Sequence, residues 1–198
     1  MKPSKFFSPN LSPLLSLFAV AAMALPVSAH AHPGHEHSSF FSGLVHPITG
    51  VDHLIMLLAF GALVFFTVKK TSAQLSLLAA ALIAMVGGVA AGLNFGELGG
   101  IEGAIAASLL VVSAALWQVF TASKQVKSMA VAVCVALIFC HGYAHGVEAT
   151  GNVSMFAVAM AISASALMLL GNRLAAFASS RWISAGVAFA SLVYLLVA

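Results

Sequence analysis

His46-Pro47-Ile48-Thr49-Gly50-Val51-Asp52-His53, then the uncharged run Leu54–Val68, then Lys69-Lys70, is the stretch that decides the fold of this 198-residue chain. Residues 48–68 form an apolar run of 21. At ~1.5 Å per residue, about 20 helical residues cross a hydrocarbon core of ~30 Å. A backbone in lipid has no water to bond, so such a run must satisfy its own amides as a helix. Outward from it lie further apolar runs at 74–93, 101–120, 128–147, 153–170 and 182–198, none shorter than 17 residues. Composition agrees: 62% of residues are apolar and 7% charged, with a mean hydropathy of +1.08. Soluble domains carry roughly 25% charged residues, so this chain cannot clothe a water-facing surface. Disorder, a nucleic-acid-binding fold and an ordinary cytosolic enzyme are excluded. The expected fold is all-α: a polytopic membrane protein with a six-transmembrane-helix bundle.

The first residues read as an address. Lys2 and Lys5 precede an apolar segment from Leu14 to Leu25, Pro26 ends it, and small residues follow. That is a secretory signal peptide, expected over 1–31 with cleavage after Ala29 or Ala31. A periplasmic His-rich tail at 32–43 and a transmembrane domain at 44–198 complete the expected organisation. Cleavage after Ala29 would expose His30-Ala31-His32, able to wrap Cu(II) or Ni(II) in a square plane. Cleavage after Ala31 puts Pro33 second, which has no amide proton to lose.

The charges test orientation independently. Cleavage leaves the mature N-terminus outside, and six alternating spans put the C-terminus there too. Lys69, Lys70, Lys124, Lys127, Arg173 and Arg181 then all fall in inner loops, as the positive-inside rule requires. Glu36, Glu97 and Glu148 fall outside, with Asp52 and Glu102 close to the outer helix ends. All eight histidines share that face. Carboxylates and neutral imidazoles without nearby cations attract divalent metal ions. Cys134 and Cys140 lie in one apolar run and give neither a disulfide framework nor a Cys-x-x-Cys pair.

Proline favours the first helical position, so span one is expected to start at His46 or Pro47. His46, Gly50 and His53 then share a face, with Asp52 about 100° round. Thr49 to Asp52 also fits a T-x-x-D capping pattern, which would explain Asp52 but not His53. Span four ends with His141, His145 and Glu148 on one side of the helix, an i, i+4 imidazole clip at a helix C-terminus that favours a cation. The alternative is that headgroups or water satisfy those histidines, although ionisable groups within a span usually mark a site. Gly142 and Gly146 form a G-x-x-x-G packing face. Glu102 suits either a metal or the positive end of its helix. His32, His35 and His37 give the tail a weak scavenging site, or a merely solvated leader. Met56 and Cys140 could offer sulfur, or simply fill the core. No G-x-x-x-x-G-K-S/T or G-x-G-x-x-G is present to power transport within the chain.

These residues resemble the HupE/UreJ family of hydrogenase- and urease-accessory membrane proteins. The match to H-P-x-S/T-G-x-D-H is carried by His46, Pro47, Thr49, Gly50, Asp52 and His53. The segment Ile101-Glu102 to Ser108 resembles the family's third span. His141-Gly142, Ala144-His145-Gly146 and Glu148 resemble the family's H-G-x-A-H-G-x-E ending of span four. Tyr143 departs from the histidine many members carry there, and Leu57 from their methionine. The resemblance implies a permease of the bacterial inner membrane for nickel, in some members cobalt. It would supply nickel enzymes such as hydrogenase or urease, with their maturation proteins as partners.

The expected metal ligands are His46, Asp52, His53, Glu102, His141, His145 and Glu148, with the ion as cargo and no resident cofactor required. Besides the ion, the expected partner is the lipid bilayer; nucleic acid is excluded and a homo-oligomer left open. Two rivals stand beside this reading. One is an intramembrane zinc hydrolase with an open coordination position. The other is a metal-binding accessory subunit that transports nothing.

Overall fold

The computed structural model describes residues 40–177 and 182–197, in which every regular element is an α-helix. The expected signal peptide and the tail histidines His32, His35 and His37 lie outside the described residues. The helices are α1 Phe40–Thr49, α2 Val51–Thr67, α3 Thr71–Phe95, α4 Ile101–Gln118, α5 Lys124–Glu148, α6 Val153–Ala175 and α7 Trp182–Val197.

By length and composition α3, α4, α5 and α6 can each cross a bilayer, and α1 with α2 can form a fifth crossing only as a pair bent by 75°. α7 has 16 residues, which rise about 24 Å and fall short of a ~30 Å core. Among the described residues, the six expected spans thus correspond to four helices of spanning length, one bent pair that reaches it only when joined, and a short apolar helix.

The break corrects the expected start of span one. The helix does not begin at His46 or Pro47: it already runs from Phe40, carries Pro47 inside it, and stops at Thr49. Pro47 has no amide to donate to the Gly43 carbonyl, which weakens the helix one turn before the break. α1 is also held aside by α6, where Gly43 approaches so closely that a Cβ would collide with the Phe156 carbonyl. Gly50 takes an extended conformation (φ −73°, ψ 105°) and α2 starts after it. The T-x-x-D cap does not form. Thr49 Oγ donates back to the Val45 carbonyl at 3.2 Å, and Gly50 is the N-cap of α2 without any side-chain cap bond.

Glycine sets the two closest helix pairs. Gly142 and Gly146 of α5 press on the Met85 and Val89 carbonyls of α3, while Gly88 and Gly92 of α3 press on the Phe139 and Tyr143 carbonyls of α5. Gly61 of α2 faces Met168 of α6 and Gly171 faces Leu58, with Asn172 Nδ2 donating to the Gly61 carbonyl at 3.3 Å. Contacts between α3 and α5 advance together along both chains, Met85 with Gly142 and Val89 with Gly146, so these two helices run parallel, whereas α2 and α6 meet most closely at one crossing, around Gly61 and Gly171. Without a hydrophobic drive between helices in lipid, small residues that admit close backbone approach are what bind them. Between the pairs lies an apolar core that includes Phe60 and Leu63 of α2, Leu109 and Leu116 of α4, and Met160 of α6. Met56 belongs to that core.

Candidate metal centre

Three elements converge at one end of the bundle. α1 delivers His46 just before the bend, the first turn of α2 delivers Asp52 and His53, and the last two turns of α5 deliver His141 and His145. The bend at Gly50 folds His46 back until its ring centroid lies 5.0 Å from that of His53 and 4.5 Å from that of His145. His53 in turn lies 4.8 Å from the His141 ring and 4.9 Å from the His145 ring. Phe156 of α6 packs about 6 Å from both His46 and His145. His53 and His141 are buried, whereas Asp52, His46 and His145 are half-buried.

Hydrogen bonding fixes how His53 is used. An ionised carboxylate only accepts, so the contact of 2.9 Å between Asp52 Oδ1 and His53 Nδ1 places the ring proton on Nδ1. His53 Nε2 is then a lone pair, and His145 Nε2–H donates to it across 2.8 Å. A metal ion needs those two nitrogens deprotonated and takes the place of that proton. A carboxylate behind a ligating imidazole is the usual device for orienting the ring and raising its basicity.

Two overlapping ligand sets result, His46–His53–His145 and Asp52–His53–His141, each with its donor atoms within 4.8 Å of one another. His53 belongs to both. His141 Nδ1 points to the second set at 4.0 Å from Asp52 Oδ2. Imidazole with carboxylate suits Ni(II), Co(II), Zn(II) and Cu(II) alike.

The remaining expected ligands lie elsewhere. Glu102 and Glu148 are exposed and line a separate cleft of about 450 Å³ together with Glu97 and Tyr143. Among the described residues neither joins the imidazoles, nor does Cys140. Glu148 follows His141 by seven residues, which preserves its bearing round the helix but lifts it about 10 Å along the axis. Tyr143 spends its hydroxyl on the Gly96 carbonyl at 2.8 Å, tying the end of α3 to α5. Sequence reasoning gave no role to Ser108, whose Oγ lies 3.0 Å from His141 Nε2. A hydroxyl inside an otherwise apolar helix was the available signal.

Gly50 is adapted to this site. Its φ of −73° suits any residue, yet a Cβ there would lie 3.1 Å from His53 Nδ1 and 3.3 Å from Asp52 Oδ1. Gly50→Ala is therefore expected to leave the fold intact and weaken Ni(II) binding about three- to tenfold by crowding the Asp52–His53 pair. Competition against a chromogenic chelator in detergent measures this.

Apolar helices of spanning length, with four imidazoles and a carboxylate gathered at one end, define a multi-pass membrane protein carrying a cluster of groups that could hold a metal ion. Comparison with known sequences carries the description further. The family model described as HupE / UreJ protein matches residues 20–197. Protein HupE of Rhizobium leguminosarum bv. viciae is 34% identical over 149 residues, covering 72% of this chain and 75% of that protein. No solved structure matches the chain. The chain belongs to the HupE/UreJ family, which supports an accessory role in metal transport, in general terms for nickel or cobalt, rather than an enzymatic one.

Proposed function

We propose that this protein is an inner-membrane permease for divalent transition metal, with Ni(II) as cargo and Co(II) as the alternative ion, admitting it from the periplasm. Its mature termini are periplasmic, which requires the 16-residue α7 to complete a sixth crossing where the bilayer thins to meet it, and nickel enzymes such as hydrogenase or urease, through their maturation proteins, are the destination. Lysines and arginines confined to the opposite loops support this orientation.

The observation that carries the reading is the double use of His53, whose Nδ1 faces Asp52 at 2.9 Å and whose Nε2 faces His145 at 2.8 Å. The ion would exchange its hydration shell first at His46, His53 and His145. It would then move to Asp52, His53 and His141, deeper because both imidazoles there are buried. A neutral imidazole carries a lone pair on one nitrogen and a proton on the other, so His53 would serve one set at a time and occupancy would alternate. Nitrogen and carboxylate ligands in threes bind weakly enough to release, as a carrier needs. Glu102 and Glu148 would concentrate cations in their own cleft, and His32, His35 and His37 would gather them from the periplasm.

The test is radiolabelled Ni(II) uptake by the purified protein in liposomes, with Co(II), Zn(II) and Cu(II) as competitors. Saturable uptake suppressed best by Co(II) is expected. Metal binding without uptake above empty liposomes would leave only a binding accessory subunit.

A further inference from the structure

We propose that Ser108 of α4 is a positioning residue for the metal site: its hydroxyl selects the tautomer of His141 and thereby aims the Nδ1 lone pair of that ring at Asp52 and His53. The inference deepens the permease reading and rests on the same cluster.

Ser108 is fully buried, and its Oγ has two neighbours, the Ile105 carbonyl at 2.6 Å and His141 Nε2 at 3.0 Å. Two oxygens approach to 2.6 Å only with a proton between them, and a carbonyl has none to give. The serine proton is therefore committed to Ile105. What Ser108 can still offer His141 is a lone pair, so Nε2 must carry the ring proton and donate it. Neutral imidazole holds one proton, which leaves Nδ1 bare. His141 Nδ1 is buried without a hydrogen-bond partner, 4.0 Å from Asp52 Oδ2. A lone pair left unsatisfied in a buried site carries a cost that a cation arriving beside Asp52 removes. Ser108 thus does for His141 what Asp52 does for His53. Each fixes the far nitrogen of a ring so that the near one faces the ion.

Ni(II) affinity of the full-length protein in detergent tests this, measured with variants of matched monodispersity and thermal midpoint. Ser108→Ala should weaken binding about tenfold or more, the usual effect of losing such a partner. Ser108→Thr, which keeps the hydroxyl and its back-bond, should stay within about threefold. In a His141→Ala background, adding Ser108→Ala should change affinity no further, because the serine acts only through that ring. Co(II) absorption of Ser108→Ala should shift, reporting an altered ligand field. Wild-type affinity in Ser108→Ala, or an equal further loss in the His141→Ala background, overturns the inference. If His53→Ala and His145→Ala also bind Ni(II) normally, it is the permease reading of the cluster that fails.

Discussion

His53→Ala is expected to lower Ni(II) uptake at least about a hundredfold at unchanged membrane abundance, more than any other single ligand substitution. Loss of one orienting partner alone typically costs 10–100-fold in metal affinity. His53 is more than that, since it is the one residue common to both ligand sets. Its removal also strips Asp52 of its hydrogen bond and leaves His145 Nε2 without the acceptor 2.8 Å away. His46→Ala and His141→Ala each empty one position of one set, so they should retain measurable uptake at raised half-saturating concentration. That ordering distinguishes a shared ligand from a row of equivalent ones. Transport by His53→Ala at the wild-type rate would put the imidazole cluster off the ion's route. Uptake into proteoliposomes at equal protein loading decides it.

The second large effect belongs to packing. Gly146→Val should cost on the order of 3 kcal/mol or more, because overpacking against backbone cannot be relieved by a rotamer change. A Cβ at Gly146 would collide with the Val89 carbonyl and come within 2.9 Å of the Leu93 amide. α3 and α5 would have to separate, carrying His145 away from His53. The expected result is a lower thermal midpoint together with lost metal binding. Gly87 supplies the control within the same helix pair. It neighbours Gly88 in sequence, yet nothing lies within 4 Å of its Cβ position. Gly87→Ala should be neutral or slightly stabilising, by up to ~1 kcal/mol from helix propensity. Comparable melting of Gly87→Ala and Gly146→Val would show that the close α3–α5 contact contributes little.

Much of this was legible in the chain because lipid makes hydropathy almost a ruler. The runs read at 74–93, 101–120, 128–147 and 153–170 reappear as α3, α4, α5 and α6, with the starts at 101 and 153 matched and the other ends differing by a few residues. The i, i+4 spacing of His141 and His145 put two imidazoles on one bearing, and their meeting with Asp52 and His53 is what the structure adds. The bend at Gly50 was not legible. Pro47 read as a helix start because proline suits the first turn, and only the packing of Gly43 on Phe156 shows that a helix precedes it. Glu148 groups with His141 and His145 in the sequence because periodicity reports bearing round an axis, not height along it, and Glu102 groups with them only through the resemblance of its segment to the family's third span. The pairing of Gly88 and Gly92 with Gly142 and Gly146 needed a partner helix that no single-helix pattern names. Ser108 escaped for the same reason, as its value lies in a ring 33 positions away.

The joint at Gly50 separates His46 from the rest of its trio, since Asp52 and His53 lie beyond it on α2 and His145 on α5. A small change of backbone torsion there would move the His46 ring relative to His53 and His145 while leaving the Asp52–His53–His145 chain of bonds untouched. Discrimination between ions of nearly equal radius would then reside in one backbone torsion instead of in the choice of donor atoms. Two relatives bearing the same ligands could differ in the metal they prefer simply through what leans on that first short helix.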